Sequence, residues 1–578
     1  MKILATLSLF LLQVVIVFAQ APLVKQWDYR FGGTFTEELT SFQQTADGGY
    51  ILGGRSSSGI SGDKTELNRG PVSVTYDYWI VKVNASGIKQ WDKRFGGTGI
   101  DWLFEVEQTT DGGYILGGVS DSRVGGDRTQ PNWDTIGPPS GDYWVVKTDS
   151  AGVLLWDKCF GGEGNDWCTS LEQTTDGGYI FGGYSASNIS GDRTQNNWGP
   201  PHTHDYWVVK TDALGNKQWD KRFGGISSDR LHSLQQTTDG GYILGGESAS
   251  GISGDKSQSA WALDTYDYWI VKIDASGTKQ WDKRFGGLNG EKFYSIKQSN
   301  DGGYIMGGIS CSDSSGDKTQ VLRDTNIINT QGAPFGDFWI VKTDALGNKQ
   351  WDKKYGGLSP EDEFGNVSLT SDGGYLLAGV SYSSSSGEKS EANLGAEQLW
   401  VIKTDASGNP QWDKTMFTFY HEEFCIATET PEGCYVMAGY NSAAIGGDKT
   451  QAPWGNGVTA GDYWLIKFCD TTRAQQIPLQ TNLASTNASC LNPCSGTASI
   501  TLTNGTAPYQ YVWQPGNYST ASVNNLCSGT YAVTVTDALN NSATGSVTIT
   551  QPNGVTAGAL ANGSTCGRPN GTVSVAAV

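Results

Sequence analysis

One phrase recurs seven times along this chain. It runs Trp-Asp-Lys-Arg-Phe-Gly-Gly, then Asp-Gly-Gly-Tyr-Ile-Leu-Gly-Gly, then a Gly-Asp loop, then Asp-Tyr-Trp-Val-Val-Lys. Its opening residues are Trp27, Trp91, Trp156, Trp219, Trp281, Trp351 and Trp412, spaced 61 to 70 residues apart. A fixed period marks a repeat architecture, in which each unit buries its apolar face against its neighbours. In the second copy, Asp111-Gly112-Gly113 reads as a tight turn, because glycine supplies the positive φ that hairpins need. Tyr114–Val119 and Asp142–Lys147 read as strands rich in aromatic and β-branched residues. With Leu103–Thr109 and Leu154–Phe160, each unit has four strands.

Four strands repeated seven times predict an all-β chain whose repeats form a seven-bladed β-propeller over residues 20–470. The long loop between the second and third strands explains a period above the ~40–50 residues usual for a blade. The first copy begins with a fourth strand alone (Val24–Phe31), and the last ends with a third strand (Asp462–Phe468). The amino-terminal strand is therefore expected to complete the last blade, leaving no open edge. An open solenoid or a pair of sandwiches are the alternatives. The strand tryptophans Trp79, Trp144, Trp207, Trp269, Trp339, Trp400 and Trp464 are expected to pack between blades, each burying ~150–250 Å².

Residues 1–19 read as a secretory signal, with Lys2 before an apolar run, and the mature chain is expected to start at Gln20. No later segment is apolar enough to span a bilayer. A net charge of −19 argues against nucleic acid and anionic membranes as partners. Ten cysteines in an exported chain allow disulfides. Cys425 with Cys434, and Cys159 with Cys168, each flank a turn and are candidate pairs; unbonded core thiols are the alternative.

Candidate sites are expected on the loop-rich face. Acid recurs in the Gly-Asp step (Asp127, Asp192 and Asp255 among them), before the first strand (Asp101, Asp166, Asp229) and at the start of the third strand. Such rings suit Ca²⁺, which takes 6–8 oxygen ligands; no cofactor motif is present. Trp133, Trp198, Trp261 and Trp454 lie in the long loops, outside the strand pattern, and are candidate platforms for a sugar ring or a protein side chain. His202-Thr203-His204 has a metal-like spacing but occurs once. No nucleophile elbow, zinc helix or phosphate loop appears.

Residues 471–487 read as a linker. Beyond it the composition turns to Thr, Val, Ser and Asn in alternating strands, as in a small β-sandwich. The residues Cys494-Ser-Gly-Thr-Ala-Ser-Ile-Thr-Leu-Thr-Asn-Gly-Thr-Ala-Pro-Tyr-Gln-Tyr-Val-Trp513, then Leu526-Cys-Ser-Gly-Thr-Tyr-Ala-Val-Thr-Val-Thr-Asp537, then Val547-Thr-Ile-Thr-Gln-Pro552, resemble the SprB repeat of exported surface proteins from gliding bacteria. One repeat covers 488–553, and a second, incomplete one begins at 554–578. Ala538-Leu-Asn-Asn541 stands where the family has Gly-Cys, which puts a disulfide through that cysteine in doubt. The resemblance implies an Ig-like module, export by the type IX route and a place at the cell surface among gliding-motility proteins.

These readings predict a non-enzymatic, secreted or surface-bound adhesion protein whose propeller face meets a glycan or an extracellular protein. An extracellular polysaccharide hydrolase or lyase using carboxylates on that face, and a structural spacer, are the alternatives.

Overall fold

The computed structural model describes residues 23–577, except 134–140, 323–335, 359–361, 420–421, 456–460, 471–478, 491, 504–506, 538–540, 553–556, 564–565 and 567. The expected signal at 1–19, most of the expected linker and His421 lie outside the described residues. Every described element is a β-strand. The chain divides into two compact units, one ending at Phe468, the other running from Cys469 onward and including Pro431–Cys434.

The first unit is a β-propeller-like series of seven four-stranded antiparallel sheets. The first blade comprises Glu37–Gln44, Tyr50–Ser56, Asp77–Val83 and Lys89–Phe95. The seventh comprises Glu422–Glu429, Cys434–Asn441 and Asp462–Asp470, and its outer strand is Leu23–Phe31 from the amino terminus. Second and third strands are buried on both faces, as in Asp142–Thr148, because they lie between neighbouring blades. Fourth strands alternate exposed and buried positions.

Each repeated residue has a local reason. In the Asp-Gly-Gly turn of the first blade, Gly48 takes a φ of 79°. Asp47 Oδ1 there accepts the Gly49 N–H at 3.0 Å, and Lys82 of the third strand binds the same carboxylate at 2.9 Å. The strand tryptophans are fully buried in all seven blades, and each indole N–H reaches the Asp of the fourth strand, as Trp79 does with Asp92 at 3.0 Å. Blades are also bolted to one another. Tyr78 Oη donates to Trp144 O at 2.9 Å, and the same bond follows from Tyr143, Tyr206 and Tyr268. Tyr463 of the seventh blade makes it to Trp79 O of the first, at 3.1 Å.

The disulfide expectations are corrected here. Cys434 bonds Cys469 on the adjacent third strand, while Cys425, Cys159 and Cys168 are buried and form no disulfide. Neither expected pair is a cross-strand neighbour: Cys425 pairs with Gly439, and Cys168 with Gly183.

The second unit holds two three-stranded antiparallel sheets around a shared core centred on Trp513, with Ile500, Leu526, Val533 and Val535. Its first strand, Gln480–Thr486, occupies residues read as linker. The strand's polar sequence conceals it: only Leu483 packs towards the core. Cys494 and Cys527 form a disulfide. The final described element is the hairpin of Ala557–Asn562 with Thr572–Ala577.

Candidate functional site: the axial channel and its mouth

The acidic rings do not line an open face. Asp101, Asp166 and Asp229 are fully buried. Each accepts the N–H of the second glycine of the preceding Gly-Gly pair, at 2.7–2.8 Å, and the hydroxyl of a serine at the start of the long loop, at 2.8–2.9 Å. Burial pushes all three carboxyls up to about 6. They are clamps between loops, which corrects their assignment as ligand contacts.

The loop tryptophans are also tied down. Trp133, Trp198, Trp261 and Trp454 donate their indole N–H to Asp192, Asp255, Asp317 and Asp63 of the next blade, at 2.8–3.0 Å. One ring face stays open, since each is 42–48% exposed. In the first blade Arg69 takes this role and binds Asp127 at 2.9 Å. Asp127, Asp192 and Asp255 are thus spent on neighbouring blades and do not gather. No group of three or more His, Cys, Asp or Glu close enough to hold a metal occurs among the described residues. His202 and His204 take no part in one; His204 meets Tyr184 edge-on at 5.3 Å.

The structure instead brings together residues that the motif reading passed over. All seven first strands contribute to an axial channel of about 580 Å³. A β-bulge in each of these strands, as between Leu103 and Glu105, breaks the two-residue alternation, and in the first six blades it turns an extra residue towards the channel. Thr40, Phe104, Thr169, His232, Tyr294 and Gly365 are those extra residues, and all line it.

At the loop-rich end, a continuous contact chain spans four blades. Glu38 pairs with Arg55, whose guanidinium lies 4.3 Å over Trp102. Trp102 meets Trp167 edge-on at 5.5 Å, and Trp167 stacks on Tyr184 at 5.9 Å. Tyr184 reaches His232 at 6.3 Å, and Arg230 and His232 stand 3.6 and 3.8 Å from Glu247. Burial works against ionisation of Glu247, but His232 and Arg230 hold its carboxyl below the usual range.

Deeper in, Glu105 accepts the Leu171 backbone N–H of the next blade at 2.8 Å, and Glu172 accepts that of Gln236. Glu107 does the same with Gln173, at 2.8 Å. Burial raises all three, Glu107 to about 8 and Glu172 to about 7, while the Lys297 ammonium pulls the other way. Four other copies carry Ser at the Glu105 position, while the position shared by Glu107 and Glu172 holds Gln43, Gln235, Lys297, Ser368 and Thr428 elsewhere. Departure from the repeat was the available signal: Trp102, Trp167, Glu105, Glu107, Glu172 and Lys297 are where the copies differ.

No family model matches the chain. The regulatory protein FlaEY of Caulobacter vibrioides is 31% identical over 143 residues, covering 24% of this chain and 15% of that protein. Similar solved structures include a protein of unknown function from Dyadobacter fermentans (9% identity, 77% of this chain and 98% of that one, TM-score 0.39). The Neurospora crassa Pan2 WD40 domain (9%, 76% and 95%, 0.38) and Chaetomium thermophilum Sqt1 (12%, 77% and 99%, 0.35) are similar in the same degree.

Proposed function

We propose that this chain is a non-enzymatic, exported surface protein. Its seven blades close into a ring whose aromatic channel mouth binds a glycan, and Ig-like SprB-type modules follow. The observation that carries the binding site is the run Arg55–Trp102–Trp167–Tyr184–His232. These are half-buried rings and cations from four consecutive blades, opening into a cavity large enough for a ligand. Aromatic faces stack on the apolar faces of sugar rings, and flanking Arg, His and Glu can bond their hydroxyls. The export and surface assignments rest on the signal-like sequence of residues 1–19 and on the SprB resemblance.

A glycan array followed by calorimetry tests this. Trp102→Ala and Trp167→Ala should each weaken binding about tenfold, or ~1.4 kcal/mol, without lowering the melting temperature much. Trp198→Ala, outside the channel, should leave binding intact. Absence of glycan binding by the intact protein, or unchanged binding by both channel variants, would refute the reading.

One observation favours an extracellular polysaccharide-acting enzyme as a second reading. Beside the channel, burial pushes the Glu107 carboxyl up to about 8 and that of Glu172 up to about 7, the direction that suits a general acid. Turnover of a polysaccharide that disappears in Glu107→Gln, with binding kept, would establish it.

A further inference from the structure

The blades are near copies, so a residue that breaks the pattern exposes what its counterparts do. At one fourth-strand position the chain carries Arg30, Arg94, Arg222, Arg284 and Lys354, but Cys159 in the second blade and Thr415 in the sixth. Three of the arginines act alike. Arg30, Arg222 and Arg284 lie 4.4–4.5 Å from the ring centres of Trp454, Trp198 and Trp261. Each also reaches the next blade's Gly-Asp carboxylate: Asp63 at 3.7 Å, Asp255 at 3.4 Å and Asp317 at 2.8 Å. Indole and carboxylate thus form a two-sided receptor for a guanidinium.

In the second blade the receptor is intact and its guanidinium is missing. Trp133 still bonds Asp192 at 2.8 Å. Besides this bond, Asp192 accepts only the Gly161 N–H at 3.4 Å among the described residues. Cys159 is too short to reach either group, and a cavity of about 420 Å³ opens between Trp133, Asp192, Cys159 and Phe160. Arg128 does not fill it: its donors go to Ser120, Gln130, Asn132 and the Cys159 sulfur. Lys158 and Lys217 also line the cavity. Their counterparts Lys221 and Lys279 stand in the same places beside Arg222, so they are compatible with a guanidinium. At the sixth blade both parts are gone, with Thr415 for the arginine and Leu394 for the tryptophan.

We propose that the gap between the second and third blades binds a guanidinium group from outside the chain, carried on an arginine side chain of a partner protein or peptide. The site is independent of the channel. The test is titration of the full chain with N-acetyl-L-arginine amide, followed by ligand-observed NMR in every variant and also through the indole N–H wherever Trp133 is present, with N-acetyl-citrulline amide as the neutral isostere. One saturable site, with Kd on the order of 1 mM, is expected for the arginine compound alone. Cys159→Arg, which restores the side chain of the sister blades, should abolish binding. Trp133→Leu, a change at an exposed ring, should weaken it at least about tenfold. Trp102→Ala should leave it unchanged. The proposal is overturned if the arginine compound does not saturate, if citrulline binds equally, or if both Cys159→Arg and Trp133→Leu bind as the parent does.

Discussion

At the scale of single residues, the repeated aromatics divide by what their polar atom reaches. A strand tryptophan is wholly buried and gives its N–H to an aspartate in its own blade; a loop tryptophan gives it to an aspartate in the next blade and keeps one face in solvent. Replacing Trp269 by Phe removes the bond to Asp282 and leaves a void, so a loss of about 2–3 kcal/mol is expected in urea unfolding. The matching change at the half-exposed Trp261 should cost less than about 1 kcal/mol. The packing role of the strand tryptophans was legible because it recurs in every copy. The tie from loop tryptophan to aspartate was not, since its partners are 56 to 59 residues apart in three blades and 391 apart in the fourth, and meet only across a blade interface. Cys434–Cys469 escaped for a similar reason: what matters is the register between second and third strands, not nearness along the chain.

At the scale of the element, the rings of acid are the mortar between blades. The third-strand aspartate anchors the long loop, as Asp267 does by accepting the Trp261 N–H at 2.9 Å. The first-strand acid of the next blade holds the Gly-Gly turn, as Glu291 does with Gly287 at 3.2 Å. The two carboxyls converge on one glycine: a Cβ on Gly286 would lie 2.2 Å from Asp267 Oδ1 and 2.7 Å from Glu291 Oε2. This is the physical reason for the first glycine of the Gly-Gly pair. Burial raises Asp267 to about 6 and Glu291 to about 8, and for Glu291 the nearby Asp267 carboxylate adds to the rise. Acids raised on folding stabilise fully below their unfolded values near 4, and that contribution is lost as pH rises through the folded values. Buried lysines such as Lys256, lowered to about 8 by burial, act with the opposite sign only above that pH. Stability should therefore fall between pH 5 and about 8, and Asp267→Asn should flatten the fall in melting temperature across that window. An unchanged pH profile in Asp267→Asn would count against the paired-carboxyl account. The sequence showed where acids recur, but their alternation with turn glycines reads equally well as an exposed ring; only the fold turns them inward.

At the scale of the whole molecule, the period, the four-strand unit and the split between a lone fourth strand at the start and a bare third strand at the end were all legible. They follow from periodicity, turn glycines and β-branched runs, which act locally. The channel was not legible, because it is assembled from one strand of each blade and marked only where copies depart from one another. The same logic hid the empty guanidinium receptor at Cys159. The account depends on the amino-terminal strand completing the last blade. Lys25 lies 2.7 Å from Asp448 O, Asp28 takes the Thr450 N–H at 2.9 Å, and Trp464 bonds Asp28 at 3.2 Å. A chain lacking Leu23–Phe31 would expose the Asp462–Asp470 edge and leave the Trp464 indole without its acceptor. The decisive measurement is thermal unfolding of that deletion variant with and without a synthetic Leu23–Phe31 peptide. The account predicts a much lower melting temperature that the peptide raises saturably towards that of the intact chain. A variant that melts like the intact protein, and is indifferent to the peptide, would contradict the closed ring.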